Sequence, residues 1–223
     1  MRCRNDWVKV EIKMRLSLFE DHLKPLPPLN WDAAVRAVFV FSGSALIQDS
    51  TGKSHQLTEH ACVFLEGSVR IEGQAQLWTF ELSRTASSEM TEEEQSRCIM
   101  SHDVGLENDH SIIFRMDRVE FPQGMVTPKH GHKGPGIRRL YAGRLVAEIG
   151  QDIRRINQGD AWFETGHEPV VGKNIAPFSG FVRAMVLPAD LLGKTSFIAW
   201  NDEEAAKPRG TQRTEYFDQL VSV

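Results

Sequence analysis

The sequence is short of cysteine, of long apolar runs and of positive charge. Its three cysteines, Cys3, Cys62 and Cys98, are widely spaced and odd in number, with no Cys-x-x-Cys pair. This fits a reduced cytoplasmic setting better than a disulfide scaffold. Cys62, within Ala-Cys-Val-Phe-Leu, reads as a small buried hydrophobe. No apolar run approaches the roughly 20 residues that span a bilayer. The start, Met1-Arg-Cys-Arg-Asn-Asp-Trp, has no apolar h-region, so no secretion signal is expected. A net charge of −4 over 223 residues argues against a dedicated nucleic-acid surface, and no helix-turn-helix pattern is evident. Gly134-Pro-Gly136 reads as a tight turn, because no Gly-x-Gly-x-x-Gly or Gly-Lys-Ser/Thr pattern follows it.

What is present is a succession of short strands. Val35–Phe41, Ala45–Gln48, Ala61–Leu65 and Gln76–Leu82 are rich in β-branched and aromatic residues and separated by Gly, Ser, Asp and Thr turns. Ser111–Arg115, Arg138–Tyr141, Leu145–Ile149, Ala161–Glu164 and Gly180–Leu187 repeat the rhythm. The pattern predicts an all-β sandwich or barrel.

The two halves read as copies. Ala37-Val-Phe-Val-Phe-Ser-Gly43 followed by Ala61-Cys-Val-Phe-Leu-Glu-Gly67 is matched by Arg138-Arg-Leu-Tyr-Ala-Gly143 followed by Asp160-Ala-Trp-Phe-Glu-Thr-Gly166. The expected division is an N-terminal unit over 1–86, a polar linker over 87–108, a C-terminal unit over 109–200 and a tail over 201–223. Ser88 or Thr91 would cap a short linker helix. The apolar end of the tail, from Tyr216, is suited to docking on the body or on a second subunit.

The chemistry concentrates in Gly124-Met-Val-Thr-Pro-Lys-His130-Gly-His132 and Gly159-Asp-Ala-Trp-Phe-Glu-Thr-Gly-His167. Positions i and i+2 of a strand share a face, so His130 and His132 would project together, and His167 could join them from a neighbouring strand. Imidazole suits Zn, Cu, Fe and Ni.

Residues 124–167 resemble the cupin superfamily. Its first motif runs Gly, five residues, His-x-His, three or four residues, Glu, six residues, Gly, and Gly124, His130, His132 and Gly143 match it with the shorter spacer. Gly159, Gly166 and His167 fit the second motif loosely, and the match covers residues 110–190. The stretch looks like the small stand-alone cupins of largely unassigned function. The resemblance implies an all-β fold of two tandem double-stranded β-helix (jelly-roll) barrels, a bicupin. The motif's Glu falls on Gly136, which leaves His130, His132 and His167 as the implied metal ligands. In the first copy Asn30 and Asp32 stand at the His-x-His positions and Ser68 opposite His167, so that copy is expected to be metal-free. His55 and His60 read as surface residues, and His22, His102 and His110 as surface or local hydrogen-bonding residues.

These readings imply a metal-dependent enzyme, with Fe, Mn, Ni or Zn, acting on a small organic and preferably anionic substrate as a dioxygenase, isomerase or lyase. The alternative is a non-catalytic small-molecule binding or sensor module. Arg138, if it points inward, would bind a substrate carboxylate, and Glu164 is a candidate general base. Tyr141 and Trp162 would line the cavity mouth or fill the core. A homodimer is expected from exposed edges and the apolar tail, with no nucleic-acid or membrane partner.

Overall fold

A computed structural model describes residues 14–25, 28–84, 95–105 and 111–222. Nearly all of this is strand. The first half holds β1 (Met14–Leu23), β2 (Leu29–Asp49), β3 (Ser54–Thr58), β4 (Cys62–Arg84) and β5 (Ser96–Val104). The second holds β6 (Ser111–Pro122), β7 (His130–His132), β8 (Gly136–Ala142), β9 (Arg144–Ile149) and β10 (Asp152–Asn157). It continues with β11 (Ala161–Glu164), β12 (Val170–Asn174), β13 (Phe178–Pro188), β14 (Phe197–Ala199), a helical turn α1 (Asp202–Ala205) and β15 (Gln212–Ser222).

The first barrel is a single five-stranded sheet of order β3-β2-β4-β1-β5. Its long strands β2 and β4 pair with each other twice: Arg36 lies opposite both Leu65 and Glu81. The second barrel is two five-stranded sheets, β10-β9-β12-β7-β14 and β11-β8-β13-β6-β15. Among the described residues the fold is therefore β-barrel in both halves, as the sequence pattern predicts.

The two barrels share one apolar layer. Leu16, Leu18, Phe39, Trp78 and Phe80 from the first barrel pack with Phe114, Met116, Ile137 and Val182 from the second. Alternation on β13 sends Val182, Ala184 and Val186 into this layer and turns Phe181 and Arg183 the other way. Polar contacts border the layer. Arg139 lies over Trp78 at 4.3 Å and pairs with Glu20, and Tyr216 donates to the carbonyl of His60 at 2.8 Å.

The repeat is visible in the backbone. Gly43 and Gly143 have φ of 83° and 80°, and a Cβ on either would strike a backbone oxygen of the neighbouring strand. His60 at φ 64° takes the place that Gly159 occupies at φ 91°, and His60 N→Val40 O and Gly159 N→Leu140 O are equivalent hydrogen bonds of 2.8 Å. His60 is at the surface, with 37% of its side chain exposed, but it is not free there. It stacks on Phe39 at 5.8 Å, and His55 likewise is half-buried against Asp49. His102 stacks on Phe163 at 4.0 Å, across the two barrels.

Two expectations about the ends of the units change. Ser96–Val104, placed in the linker, forms β5 and pairs with β1. Residues 201–223, placed in a tail, contain β15, which pairs with β6 along its length. Cys3, His110 and the helix expected near Ser88 or Thr91 lie outside the described residues.

Phe39 is fully buried between Trp78, Tyr141 and Tyr216. Phe39→Ala is expected to cost about 3–5 kcal/mol in denaturant unfolding; a loss below about 1 kcal/mol would show that the shared layer is not a principal source of stability. Asp21 is buried, with Thr79 Oγ1 donating to it at 2.6 Å. Burial pushes its carboxyl up to about 6, against the opposing pull of hydrogen bonds from Ser96 and Thr79. The folded state then holds a proton that the unfolded state releases from its ordinary value of 3.8 upward, so stability falls as pH rises through that window. Asp21→Asn is expected to raise Tm relative to the natural chain at about pH 7 and to leave it unchanged at about pH 4. Equal Tm differences at both pH values would contradict this.

Candidate functional site

Three strands of one sheet carry the polar side of the second barrel. β6 turns Arg115, Asp117, Val119 and Phe121 inward. The β8 register places Arg138 opposite Trp162 on β11 and opposite Arg183 on β13, so all three share the inner face. That resolves the orientation of Arg138, which is inward and only 1% exposed. From the facing sheet β7 contributes His130 and His132, both buried, with ring centroids 5.0 Å apart. Between the sheets lies a cavity of about 200 Å³. One side is apolar, from Phe121, Leu145, Trp162, Val170 and Phe181; the other holds the two histidines, Arg138, Glu164 and Arg183. Tyr141 lies instead in the layer between the barrels and donates to Glu120 at 2.8 Å.

Hydrogen bonds fix the roles of the imidazoles. The Pro128 carbonyl, 2.8 Å from His130 Nδ1, can only accept, so Nδ1 carries the proton and Nε2 the lone pair. Arg183 Nη1, 3.3 Å from His132 Nε2, can only donate, so that lone pair is already engaged. Burial lowers the pKa of both rings, and the positive charges of Arg183 and Arg138 add to the effect. Both histidines are therefore neutral near pH 7.

The arginines are held by carboxylates. Asp117, fully buried, takes Arg183 Nε at 2.6 Å and Arg213 Nε at 2.6 Å. Burial alone would raise its pKa, but the two guanidiniums outweigh this and hold it below the usual carboxylate range. Arg115 makes a two-pronged contact with Asp218, 2.8 Å on each arm. Trp162 Nε1 donates to Glu164 Oε1 at 2.8 Å. Arg138 Nη1 donates to the Gly136 carbonyl at 2.6 Å, while its Nη2 approaches Glu164 Oε2 at 2.6 Å without hydrogen-bond alignment. Burial pushes the Arg138 pKa down to about 10, so it stays charged.

The expected three-histidine set is not assembled. His167 is exposed beyond the end of β11 and is not part of the cavity wall, because the chain turns outward at Gly166. The residue facing His130 across the β7–β12 ladder is Val170. Among the described residues no three His, Cys, Asp or Glu side chains converge to hold a metal ion. Glu164 is the carboxylate nearest His132, at 3.9 Å, but it is shared with Trp162 and Arg138. Of the retained donors only His130 Nε2 has no partner, so the residues present do not fit a metal.

Several wall residues escaped the sequence reading. Asp117 and Arg183 had a faint signal, being charges in otherwise apolar strands. Phe197, Arg209 and Arg213 had none, since they come from the last quarter of the chain, much of it taken as a tail. Arg209 lies 3.6 Å over the Phe197 ring, which stacks on His130 at 4.7 Å. In the first barrel Asn30 and Asp32 are exposed, and Arg36 forms a buried pair with Glu81 at 2.8 Å.

No protein-family model and no curated protein matches the chain by sequence. Solved structures do match its fold. Oxalate decarboxylase of Bacillus subtilis, in work on its Mn(II) centres, has a TM-score of 0.62 at 12% identity over 87% of this chain and 73% of that one. Oxalate decarboxylase of Lactobacillus farciminis, as a formate complex, has a TM-score of 0.59 at 14% identity over 86% and 82%. A point mutant of salicylate 1,2-dioxygenase of Pseudoaminobacter salicylatoxidans has a TM-score of 0.50 at 10% identity over 81% and 73%. At such identities the likeness is one of fold, and it agrees with the tandem barrels and the repeated glycine frame: the chain has the cupin fold in a bicupin-like arrangement.

Proposed function

We propose that the second barrel binds a small organic anion and acts on it by proton transfer. The observation that carries this is the buried guanidinium of Arg138, ion-paired with Glu164 but with an Nη2 that has no aligned hydrogen bond, which shares the cavity with His130, a neutral imidazole whose Nε2 lone pair is free. Buried donors without partners are costly unless something satisfies them, and an anion does so with charge-assisted hydrogen bonds. Structures of similar fold are named for carboxylate substrates, oxalate and salicylate, or hold formate, which supports an anionic ligand here.

In this reading Arg138 receives the anion and stabilises negative charge that develops on it. His130 Nε2 takes a proton from carbon and returns it, while the Pro128 carbonyl holds the ring in the required tautomer. Glu164 acts as a positioning residue, through Arg138 and Trp162. The reaction class that follows is isomerisation or elimination next to a carbonyl. The Fe, Mn, Ni or Zn of the metal-dependent form would have His130 and His132 as donors, and engagement of His132 by Arg183 weighs against it. The non-catalytic binding module is the second reading. Free thiols at Cys62 and Cys98 support a cytoplasmic setting.

Phenylpyruvate in D₂O tests the proposal, because it joins a carboxylate and an aromatic ring to exchangeable C3 protons. The natural chain is expected to accelerate deuterium uptake above the buffer rate, and His130→Ala to reduce that acceleration by about a hundredfold or more. Binding without exchange would establish the binding module instead, and neither binding nor exchange would overturn both readings. The homodimer proposed from exposed edges, including β10 with Ile153 at 74% exposure, predicts twice the chain mass by light scattering at micromolar concentration; a monomer there would refute it.

A further inference from the structure

The geometry points to Arg138 as the replacement for the metal: its guanidinium takes over the anchoring role by hydrogen bonding, and the second barrel is a metal-independent receptor for a monocarboxylate with an apolar, ring-sized body. This rests on the reading of the cavity as an organic-anion site and adds to it the anchor and the ligand class.

The first support is the state of the positions that the motif reserves for ligands. Where the motif has Glu the chain has Gly136, and a Cβ there would lie 2.5 Å from the Ala184 carbonyl oxygen and 3.2 Å from Arg138 Nη1. A carboxylate side chain has no room at that point, and the guanidinium is itself anchored on the Gly136 carbonyl at 2.6 Å. The Arg138 head group therefore abuts the place left by the lost ligand. Opposite His130, after the turn at Pro169, stands Val170, 6% exposed and unable to coordinate. His132 is retained, but its Nε2 accepts from Arg183. A cation at this place would meet two guanidiniums and one unengaged nitrogen, a repulsive setting with too few donors.

The second support is the balance of charge. Arg115, Arg138, Arg183, Arg209 and Arg213 line the cavity. Asp218, Glu164, Asp117 and Glu215 contact four of them. Arg209 is stacked on Phe197 and has no carboxylate contact among the described residues. The buried guanidiniums are thus balanced and the one surplus positive charge, on Arg209, is exposed at the cavity rim, which suits a single carboxylate better than a dianion. The opposite side of the cavity is apolar, with Phe121, Trp162 and Phe181 at its centre. A cavity of about 150 Å³ accepts benzene, so about 200 Å³ admits one ring and a short polar group.

Co(II) alone and benzoate alone separate the possibilities. Titration of the natural chain with Co(II) is expected to give no ligand-field absorption, and calorimetry with benzoate to give the same affinity with and without EDTA. Arg138→Gln should weaken benzoate by roughly a hundredfold, the loss typical of a charged hydrogen-bond partner, and Arg138→Lys should recover part of it. Adding Val170→His to the Arg138→Gln chain should create a site for one Co(II) per chain, read from its visible spectrum and lost again with His132→Ala. This gain of function tests the ligand positions even if benzoate affinity changes for other reasons, and circular dichroism verifies that each variant is folded. Stoichiometric Co(II) uptake by the natural chain, or benzoate binding abolished by EDTA, would overturn the metal-independent assignment alone. Failure of benzoate to bind the natural chain in any condition would overturn the anion reading and this inference with it.

Discussion

The structure depends on the apolar layer between the two barrels. Its strands β6, β8 and β13 are buried on both faces, so neither face can be solvated. One face is apolar at its centre, bordered by Arg139 and Glu120, and is covered by the first barrel. Only because that burial is secured can the other face carry Arg115, Asp117, Arg138 and Arg183, groups that are almost never buried without a compensating partner. The first barrel thus contributes to the site without touching it. It supplies the hydrophobic stabilisation that allows a charged interior in its neighbour.

Within that interior each charge has a specific reason to be there. Asp117 ties β6 to β13 and β15 through two arginines, and Arg115 ties β6 to the loop before β14 and to β15 through Asp218 and two carbonyls. These pairs are satisfied and rigid. Arg138 differs, since it keeps donor capacity after its contacts with Gly136 and Glu164 are made. Pairs with aligned hydrogen bonds hold a shape, while a pair with donor capacity to spare leaves room for a ligand. The contrast between Arg115 and Arg138 on the inner face of one sheet separates scaffold from site.

Much of the fold was legible in the sequence because strand rhythm and turn glycines are local signals. Gly43 and Gly143 mark the same left-handed turn, and the repeat could be read from them and their apolar neighbours. The His130-x-His132 pair was legible for the same reason: period-two spacing on one strand fixes a shared face. The third member of the set was not. His167 lies near the right place in sequence, but the turn at Gly166 directs it outward, and the ladder gives its expected place to Val170. Register between strands distant in sequence decides such matters, and a spacing rule does not contain it. Arg183, Arg209 and Arg213 were missed on similar grounds, being brought in by pairings over long separations. The inward turn of Arg138, open at the level of sequence, follows at once from its partners on β11 and β13.

The wall of the cavity formed by residues 195–213 lies far along the chain from the strands it closes against. Arg115 must wait for Asp218, a partner 103 residues further on, before its charge is paired. Closing so long a loop is slow relative to hairpin formation. A chain in which β15 has not docked on β6 therefore holds an open, charged half-barrel, and the enclosed cavity exists only after that docking. Any ligand that needs the enclosed cavity selects the chain in which that docking is complete, and so shifts the balance of folding toward it by mass action. Occupancy and completeness of the fold are then a single thermodynamic quantity, with the late strand as the point where they meet.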